Sequence, residues 1–568
     1  MATGVLTVTT WFAGMPRGLP PGLALAALLL VIAARGWAGG AWPPRLAPPR
    51  LETLMCLACA VAYRLPALLH PWGWVNRDGA YGAFVALHLL EGARPAPVFT
   101  EGANYQGTLK SHLAGGLALL TGARDLSFLM TAASLILYLV FTASAMALAR
   151  RVAGRPAAVA TGLYLALGPR FLTVFSLNCV GQYVDVLALG GVALALLARV
   201  LDEDGRGAPV RGAYLAIGLL LGAAFWQQPV ALSYAAVVAV VLALRAATWR
   251  DPWTLLVPVG GLLGTLPVLL WNLRHGWATR DILGREPLEL RAQAEALPHL
   301  VDRTLSVSFP ILSGLSPNHL WADAPGVRAG AAWLFPLLLA AYLVVRRSDF
   351  AVWARRARPS PAVLTPLLMT FCLALFWAVA SGSVYRRPRY LLPVVAASAV
   401  HVGVVCAWLW ARSRVAAGAA GAALLALNVT GTAPRLAASA GIARGQRAVV
   451  RSLEEKGIRT GYSDFSIAAP VTMFTSERIV LSPALGPTPA YESDAQARRV
   501  AEDGPDAYVL PPEDDPQRFA AALRDLGVTF QMETNPVTVF YGLSRKVRLE
   551  EVAGFRGPQA DAGSSPEE

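Results

Sequence analysis

The chain has 568 residues, of which 55% are hydrophobic and 15% charged, with a mean hydropathy of +0.48. That balance excludes an ordinary soluble domain and a disordered chain, neither of which combines so much apolar sequence with so little charge. The formal charge is +13, but residues 433–568 hold 15 basic and 19 acidic groups, which leaves 34 basic against 17 acidic groups in residues 1–432, among the apolar segments. Spread in that way, the excess reads as a topology signal and anionic-lipid contact, and it argues against nucleic-acid binding.

Apolar runs of about 17–25 residues, the length that crosses a bilayer core, fall near 51–68, 124–149, 156–175, 183–200, 212–226, 229–247, 253–273, 329–345, 361–381, 389–411 and 414–432. They predict an α-helical polytopic membrane protein of eleven or twelve transmembrane helices. The twelfth is the stretch 19–35, which reads equally as an uncleaved signal-like leader or as the product of an upstream start codon. Arginines fall on every second connection: Arg45 and Arg50; Arg150, Arg151 and Arg155; Arg199, Arg206 and Arg211; Arg245 and Arg250; Arg346, Arg347, Arg355, Arg356 and Arg358; Arg412 and Arg414. Those connections are expected on the cytoplasmic side. The other side then receives segment 69–123, the turns near 176–182 and 226–228, segment 274–328, the turn 382–389 and everything after 433.

Residues 1–50 read as an N-terminal extension and 51–432 as the membrane domain. From about 433 the chain becomes turn-rich and charged, with alternating runs at Ala507–Leu510 and Val528–Met532 and a helix-like stretch at 494–503. These predict a small α/β extracytoplasmic domain over 433–556, with a polar disordered tip over 557–568. No internal repeat of 20–50 residues is evident. Five cysteines make no disulfide framework, and the Cys56–Cys59 spacing lies inside an apolar run, so all five are expected to pack. The sequon Asn428-Val-Thr430 lies in or at the end of a span, which disfavours glycosylation.

Ionisable groups at membrane depth are costly and tend to be functional or paired. Between the first span and residue 200 the outer-side acids are Asp78, Glu91, Glu101, Asp125 and Asp185. Asp78 follows the first span by about ten residues and precedes a helix-like stretch, so an N-cap role competes with a catalytic one. The catalytic role draws support from its surroundings: a Gly/Asn/Tyr/Gln loop follows, with Lys110, one of three lysines in the chain.

Asp78 with its flanks, Asn104-Tyr-Gln-Gly-Thr-Leu109, Phe225-Trp-Gln-Gln-Pro229 and Arg389-Tyr-Leu-Leu-Pro393 together resemble the polytopic lipid-linked-sugar glycosyltransferases. These belong to the GT-C superfamily and include the protein mannosyltransferase-like and aminoarabinose transferase-like bacterial enzymes of family 39. The tail segments Gly457–Phe465 and Ser476–Leu481 are similar to the periplasmic tail of many bacterial members, so the resemblance runs over roughly residues 50–550. Two positions depart from the pattern: Gly79 stands where many relatives have a second acid, and Lys110 stands where they have a glutamate.

The resemblance implies a polyprenyl-phosphate-sugar donor, an acceptor hydroxyl on a cell-envelope glycan, lipid or protein, and direct displacement with inversion at the outer face of the inner membrane. Such a reaction needs a base at the acceptor oxygen, for which Asp78 is the candidate and Glu101 the alternative. The departing phosphate needs cations. Arg386, Arg387 and Arg389 cluster on an outer turn where the positive-inside rule does not put three arginines, with lipid anchoring as the competing role. Lys110 and Arg274 are further cations; Tyr105, Gln106, Gln182, Asp185, Gln227, Gln228 and Tyr390 are candidates for contacts to substrate, with structural pairing to an arginine the competing role of Asp185. His112 and His275 have no second ligand at metal spacing, so no metal site and no cofactor is expected. The run 111–122 is too short to cross and is expected to lie in the interface beside the donor's lipid tail. A multi-span transporter or lipid flippase is the competing function, disfavoured by the lack of repeated halves and by polar groups that sit in outer loops. An assembly subunit is a third reading, in which Asp78 is dispensable.

Overall fold

The computed structural model describes residues 50–92, 97–100, 103–203, 211–245, 251–279, 290–315, 325–356, 358–379, 387–485, 494–512, 514–548 and 551–552. The stretch 19–35, Arg386, Glu101 and the tip from 557 therefore lie outside the described residues.

The chain opens with α1 (Leu51–Leu69) and α2 (Arg77–Leu90), joined through a 3-10 turn at Pro71–Trp74. A small hairpin of β1 (Phe99–Thr100) and β2 (Ala103–Gly107) leads into α3 (Leu109–Thr121). The long stretch α4 (Leu126–Ala166) follows, then α5 (Arg170–Phe175), α6 (Tyr183–Glu203), α7 (Arg211–Gln227), α8 (Leu232–Ala243) and α9 (Leu256–Arg274). Next come α10 (Leu290–Arg303), α11 (Phe309–Leu312), α12 (Pro325–Val345), α13 (Arg347–Arg356), α14 (Leu364–Val379) and α15 (Leu392–Trp410). The last span, α16 (Arg414–Ala437), runs into α17 (Ser439–Glu455) through Ala438, whose backbone remains helical.

Among the described residues, seven helices are long and apolar enough to cross a membrane, and an eighth if the bent pair Gly330–Val345 and Arg347–Arg355 is one span. The protein is a multi-pass membrane protein, with fewer helices of full spanning length than the eleven or twelve apolar runs suggest. Part of the difference lies in α4. The stretch is 41 residues long, but the backbone leaves helical geometry at Ala153 and at Gly154, where φ is +78°, so it is two helices joined at a kink. The Tyr138 hydroxyl donates to the Leu165 carbonyl at 2.6 Å. On a straight helix those two residues would be about 40 Å apart, so the chain folds back at Gly154, and two apolar runs share the stretch α4. The rest of the difference lies in short helices such as α7 and α8, of 17 and 12 residues, below the roughly 20 that cross unaided.

α7 and α9 pack through glycine. A Cβ on Gly218 would lie 2.0 Å from the Val257 carbonyl oxygen, and one on Gly264 would lie 2.4 Å from that of Leu219. Small residues let two apolar helices approach this closely where no hydrophobic effect drives them together.

Arg64, inside α1, is fully buried. Its guanidinium donates to the Ala166 carbonyl at 2.8 Å and to the Ser176 hydroxyl at 2.8 Å, and it lies 4.3 Å from the Tyr138 ring centroid. It thereby ties α1 to the C-terminal ends of α4 and α5, where exposed carbonyls favour a cation.

The C-terminal unit is a five-stranded sheet in the order β4-β3-β5-β7-β6, built from β3 (Thr460–Asp464), β4 (Val480–Leu485), β5 (Ala507–Leu510), β6 (Gln531–Thr534) and β7 (Thr538–Tyr541). β3 is parallel to β4 and β5, and β7 is antiparallel to β5 and β6. α18 (Phe465–Phe474) crosses from β3 to β4, and α19 (Asp494–Asp503) and α20 (Pro516–Asp525) complete it. The helix-like stretch at 494–503 and the run Ala507–Leu510 coincide with α19 and β5. The other alternating run divides: Val528 is buried in the core and the strand begins at Gln531.

Two expectations follow. Replacing Arg64 by Leu removes four donated hydrogen bonds; with bonds to charged groups contributing about 1.5–3 kcal/mol each, the detergent-solubilised protein is expected to melt markedly lower. Asp506 accepts from the backbone N–H groups of Arg459 and Thr460 at 3.0 and 3.1 Å. Burial alone would raise its carboxyl, but those bonds and Lys546 hold it below the usual carboxylate range. Its stabilisation is therefore present above the unfolded value and fades as pH falls through the lowered folded one. Asp506→Asn is expected to lower the melting temperature at neutral pH, with the gap to the natural protein narrowing below about pH 3.9, the unfolded value.

Candidate active site

α2 begins where Asn76, in extended backbone, turns its side-chain carbonyl back to accept from the Gly79 N–H at 2.9 Å. Asn76 is thus the N-cap, and Asp78 is left in the first turn with its carboxylate directed elsewhere. Oδ2 of Asp78 lies 3.6 Å from Nη1 of Arg389, and Oδ1 lies 3.9 Å from Nε of Arg77. Neither separation is a hydrogen bond. The Asp78 and Arg389 side chains are 22% and 27% exposed, so the pair stands at an accessible edge. Negative charge in the first turn of a helix is also favoured by the helix dipole.

Arg389 sits in the 3-10 turn Pro388–Leu391 that opens α15. Its Nε–H is buried without a hydrogen-bond partner among the described residues, an unspent donor beside the carboxylate. The guanidinium lies 5.6 Å from the Tyr390 ring, which meets the Tyr183 ring edge-on at 5.9 Å. The Tyr183 hydroxyl is within electrostatic reach of both Arg389 and Tyr105, so the β1–β2 hairpin comes to this end of the bundle too. Tyr105 and Gln106 are half-buried, with the Gln106 amide donating to the Tyr105 hydroxyl at 3.4 Å. Anchors hold the hairpin in place: the Trp226 indole N–H donates to the Val98 carbonyl at 2.8 Å, and Thr279 to that of Asn104 at 2.8 Å.

A second group of the candidate residues is buried behind this edge. Nζ of Lys110 lies 3.2 Å from Oδ2 of Asp185 and donates to the Gly181 carbonyl at 3.0 Å, with both side chains at most 1% exposed. The Gln227 side-chain carbonyl accepts from the Leu109 N–H at 3.1 Å, at the start of α3. Gly107 explains the fit, since a Cβ there would lie 2.6 Å from the Gln227 amide nitrogen. Gln182 and Gln228 are buried, and Oε1 of Gln182 and the amide nitrogens of Gln227 and Gln228 have no partner among the described residues. His112 directs Nδ1 to the Thr108 carbonyl at 2.7 Å, and burial pushes its imidazole below the usual range against the pull of that carbonyl. α3 is tied to α2 by the Ser111 hydroxyl, which donates to the Gly82 carbonyl at 2.7 Å.

The structure thus gathers Asp78, Arg389, Tyr390 and Tyr105 at one edge, with the Lys110–Asp185 pair and Gln182, Gln227 and Gln228 buried behind it. Arg387 is exposed beside Arg389. Arg274 is exposed at the end of α9 without a partner among the described residues, and His275 stacks on Trp271 at 4.2 Å. Of the other acids expected on the outer side, Asp125 caps α4 by accepting from Ser127 and Phe128. No group of three or more His, Cys, Asp or Glu able to hold a metal occurs among the described residues. Two residues that shape this end escape a reading of outer acids and cations: Asn76, which takes the cap that Asp78 competes for, and Arg64, whose signal is a lone charge inside an apolar run.

No family model and no curated protein matches the chain. Its backbone is similar to that of ArnT from Cupriavidus metallidurans bound to undecaprenyl phosphate, with a TM-score of 0.54 at 15% identity over 89% of this chain and 99% of that one. The fold is of the GT-C type. The apo state of the same ArnT gives a TM-score of 0.50 at 15% identity, covering 88% and 99% of the two chains. The oligosaccharyltransferase of Archaeoglobus fulgidus gives 0.47 at 13% identity, covering 86% and 72%.

Removing one partner of a buried ion pair costs about 3–5 kcal/mol, whereas replacing both with apolar residues of similar volume is often neutral. Lys110→Met alone is therefore expected to deplete folded protein, and Lys110→Met with Asp185→Leu to restore it, as read by melting temperature in detergent.

Proposed function

We propose that the protein is a glycosyltransferase that moves a sugar from a polyprenyl-phosphate-linked donor to an acceptor hydroxyl at the outer face of the inner membrane, with inversion at the anomeric carbon. The observation that carries this reading is the Asp78–Arg389 pair: a carboxylate and a guanidinium 3.6 Å apart at an accessible edge, on a GT-C fold. Asp78 takes the proton of the acceptor hydroxyl as its oxygen attacks the anomeric carbon. The bond from that carbon to the phosphate oxygen breaks, and the polyprenyl phosphate leaves with the electron pair. Arg389 donates to the leaving phosphate through N–H groups that include its unspent Nε–H, in the planar geometry that suits phosphate oxygens. Arg387 lies exposed beside it and adds positive charge. The reading relies on guanidinium groups and calls for no divalent metal.

Tyr105, Gln106 and Tyr390 border the same edge and are assigned to contacts with the sugar. Leu119 and Leu120 on α3 are 68% and 85% exposed, which suits a helix lying in the interface beside the donor's prenyl chain. The C-terminal domain, on the same end of the bundle as Asp78, is assigned to the extracytoplasmic side.

A positioned general base contributes about 10²–10⁴-fold to rate, so Asp78→Asn is expected to lower transfer by that factor with membrane level and melting temperature unchanged. Lipid-linked sugars extracted from a deletion strain are expected to show one polyprenyl-phosphate sugar accumulating. Full transfer by Asp78→Asn, or an unchanged lipid profile, would count against the reading.

A further inference from the structure

The helix that carries Asp78 is gripped from the far end of the sequence. Phe465 opens α18 immediately after β3, and the preceding Asp464 caps that helix by accepting from the Ser466 and Ile467 N–H groups, each at 3.1 Å. The Phe465 ring, buried at 4% exposure, meets α2 in two places. The Arg77 guanidinium carbon lies 5.1 Å from its centroid, and the Tyr81 ring centroid lies 5.7 Å away. Arg77 and Tyr81 are four residues apart, one helical turn, and Asp78 lies within that turn. One aromatic ring therefore touches both ends of the turn that aims the carboxylate.

The segment ahead of α2 is held from the same side. Trp72 stacks on Phe474 at 4.1 Å with the planes 3° apart, and the Arg447 guanidinium lies 5.4 Å from the Trp72 ring. The Trp74 indole N–H donates to the Ser439 hydroxyl at 2.8 Å, and Arg435 donates to the Gly73 carbonyl. The Phe465 ring is the part of this contact that lies against Arg77 and Tyr81, on either side of Asp78.

We propose that Phe465 is a positioning residue for Asp78: through Arg77 and Tyr81 it sets the first turn of α2 against Arg389, so that the C-terminal domain is part of the catalytic geometry. The inference rests on the reading of Asp78 as the base. It calls for no contact between Phe465 and substrate.

The test uses full-length protein in lipid nanodiscs, comparing Phe465→Ala and, as a variant that keeps apolar volume without the ring face, Phe465→Leu. Misplacement of a catalytic group by about 1 Å can cost up to 10²-fold, so Phe465→Ala is expected to lower kcat about 10-fold or more while KM for the polyprenyl-phosphate sugar stays within about 2-fold. Hydrogen exchange in peptide 75–84 is expected to quicken in both variants, with exchange in α6 unchanged. The proposal is overturned if exchange in 75–84 matches the natural protein in both variants, or if KM rises while kcat holds, which would make Phe465 a substrate contact. Exchange requires no catalysis, so absence of transfer by the natural protein would defeat the functional reading and leave the exchange result to decide the positioning.

Discussion

The end of the bundle that carries Asp78 depends on keeping a carboxylate and a guanidinium close without letting them consume each other. Asp78 and Arg389 approach to 3.6 Å, and Arg77 stands 3.9 Å from the second carboxylate oxygen. Neither approach is a hydrogen bond, so both carboxylate oxygens remain able to accept one. The two residues are far apart in sequence, one in the first turn of α2 and one at the mouth of α15, so tertiary packing holds that distance. The ties of α2 to Ser111, to Asn76 and to the C-terminal domain serve the same end.

The buried pair beneath illustrates the opposite use of charge. Lys110 and Asp185 are sealed from solvent 3.2 Å apart; Lys110 also donates to the Gly181 carbonyl, whereas neither Asp185 oxygen has a hydrogen-bond partner among the described residues. A buried pair is poor evidence of net stability, but losing one partner is costly; here the pair joins the start of α3 to the first turn of α6, and the bond from Lys110 to Gly181 reaches the loop before it. The same loop braces α2, since a Cβ on Gly79 would lie 3.0 Å from the Asn178 carbonyl oxygen. Exposure thus separates residues that can meet a substrate from residues that hold them.

Much of this arrangement is legible in the sequence, for physical reasons. Apolar run length foretells the bundle, and Arg389 is conspicuous because the alternation of arginines assigns its turn to the side expected to carry few of them. Other features are illegible. Asn76 and Asp78 are both good cap residues two positions apart, and only the extended backbone of Asn76 decides between them. The partner of Asp185 is a long-range choice that no local pattern encodes. Arg64 is an isolated charge whose partners are neutral carbonyls, hydroxyls and a ring, so no complementary charge points to its role. The run of apolar residues near 156–175 is foreseen as separate from 124–149, and the break at Ala153 and Gly154 does divide them; the direct fold-back of one helix on the other there is not foreseen. The grip of Phe465 on α2 is equally hidden, because an aromatic residue between a strand and a helix reads as ordinary core.

The most direct test of the central claim is an experimental structure of the full-length protein with a polyprenyl phosphate bound. The account expects a phosphate oxygen within hydrogen-bond distance of the Arg389 guanidinium, with Asp78 facing the space beside it where an acceptor hydroxyl would approach. A phosphate bound elsewhere in the bundle, with Asp78 and Arg389 closed into a bidentate ion pair, would contradict it.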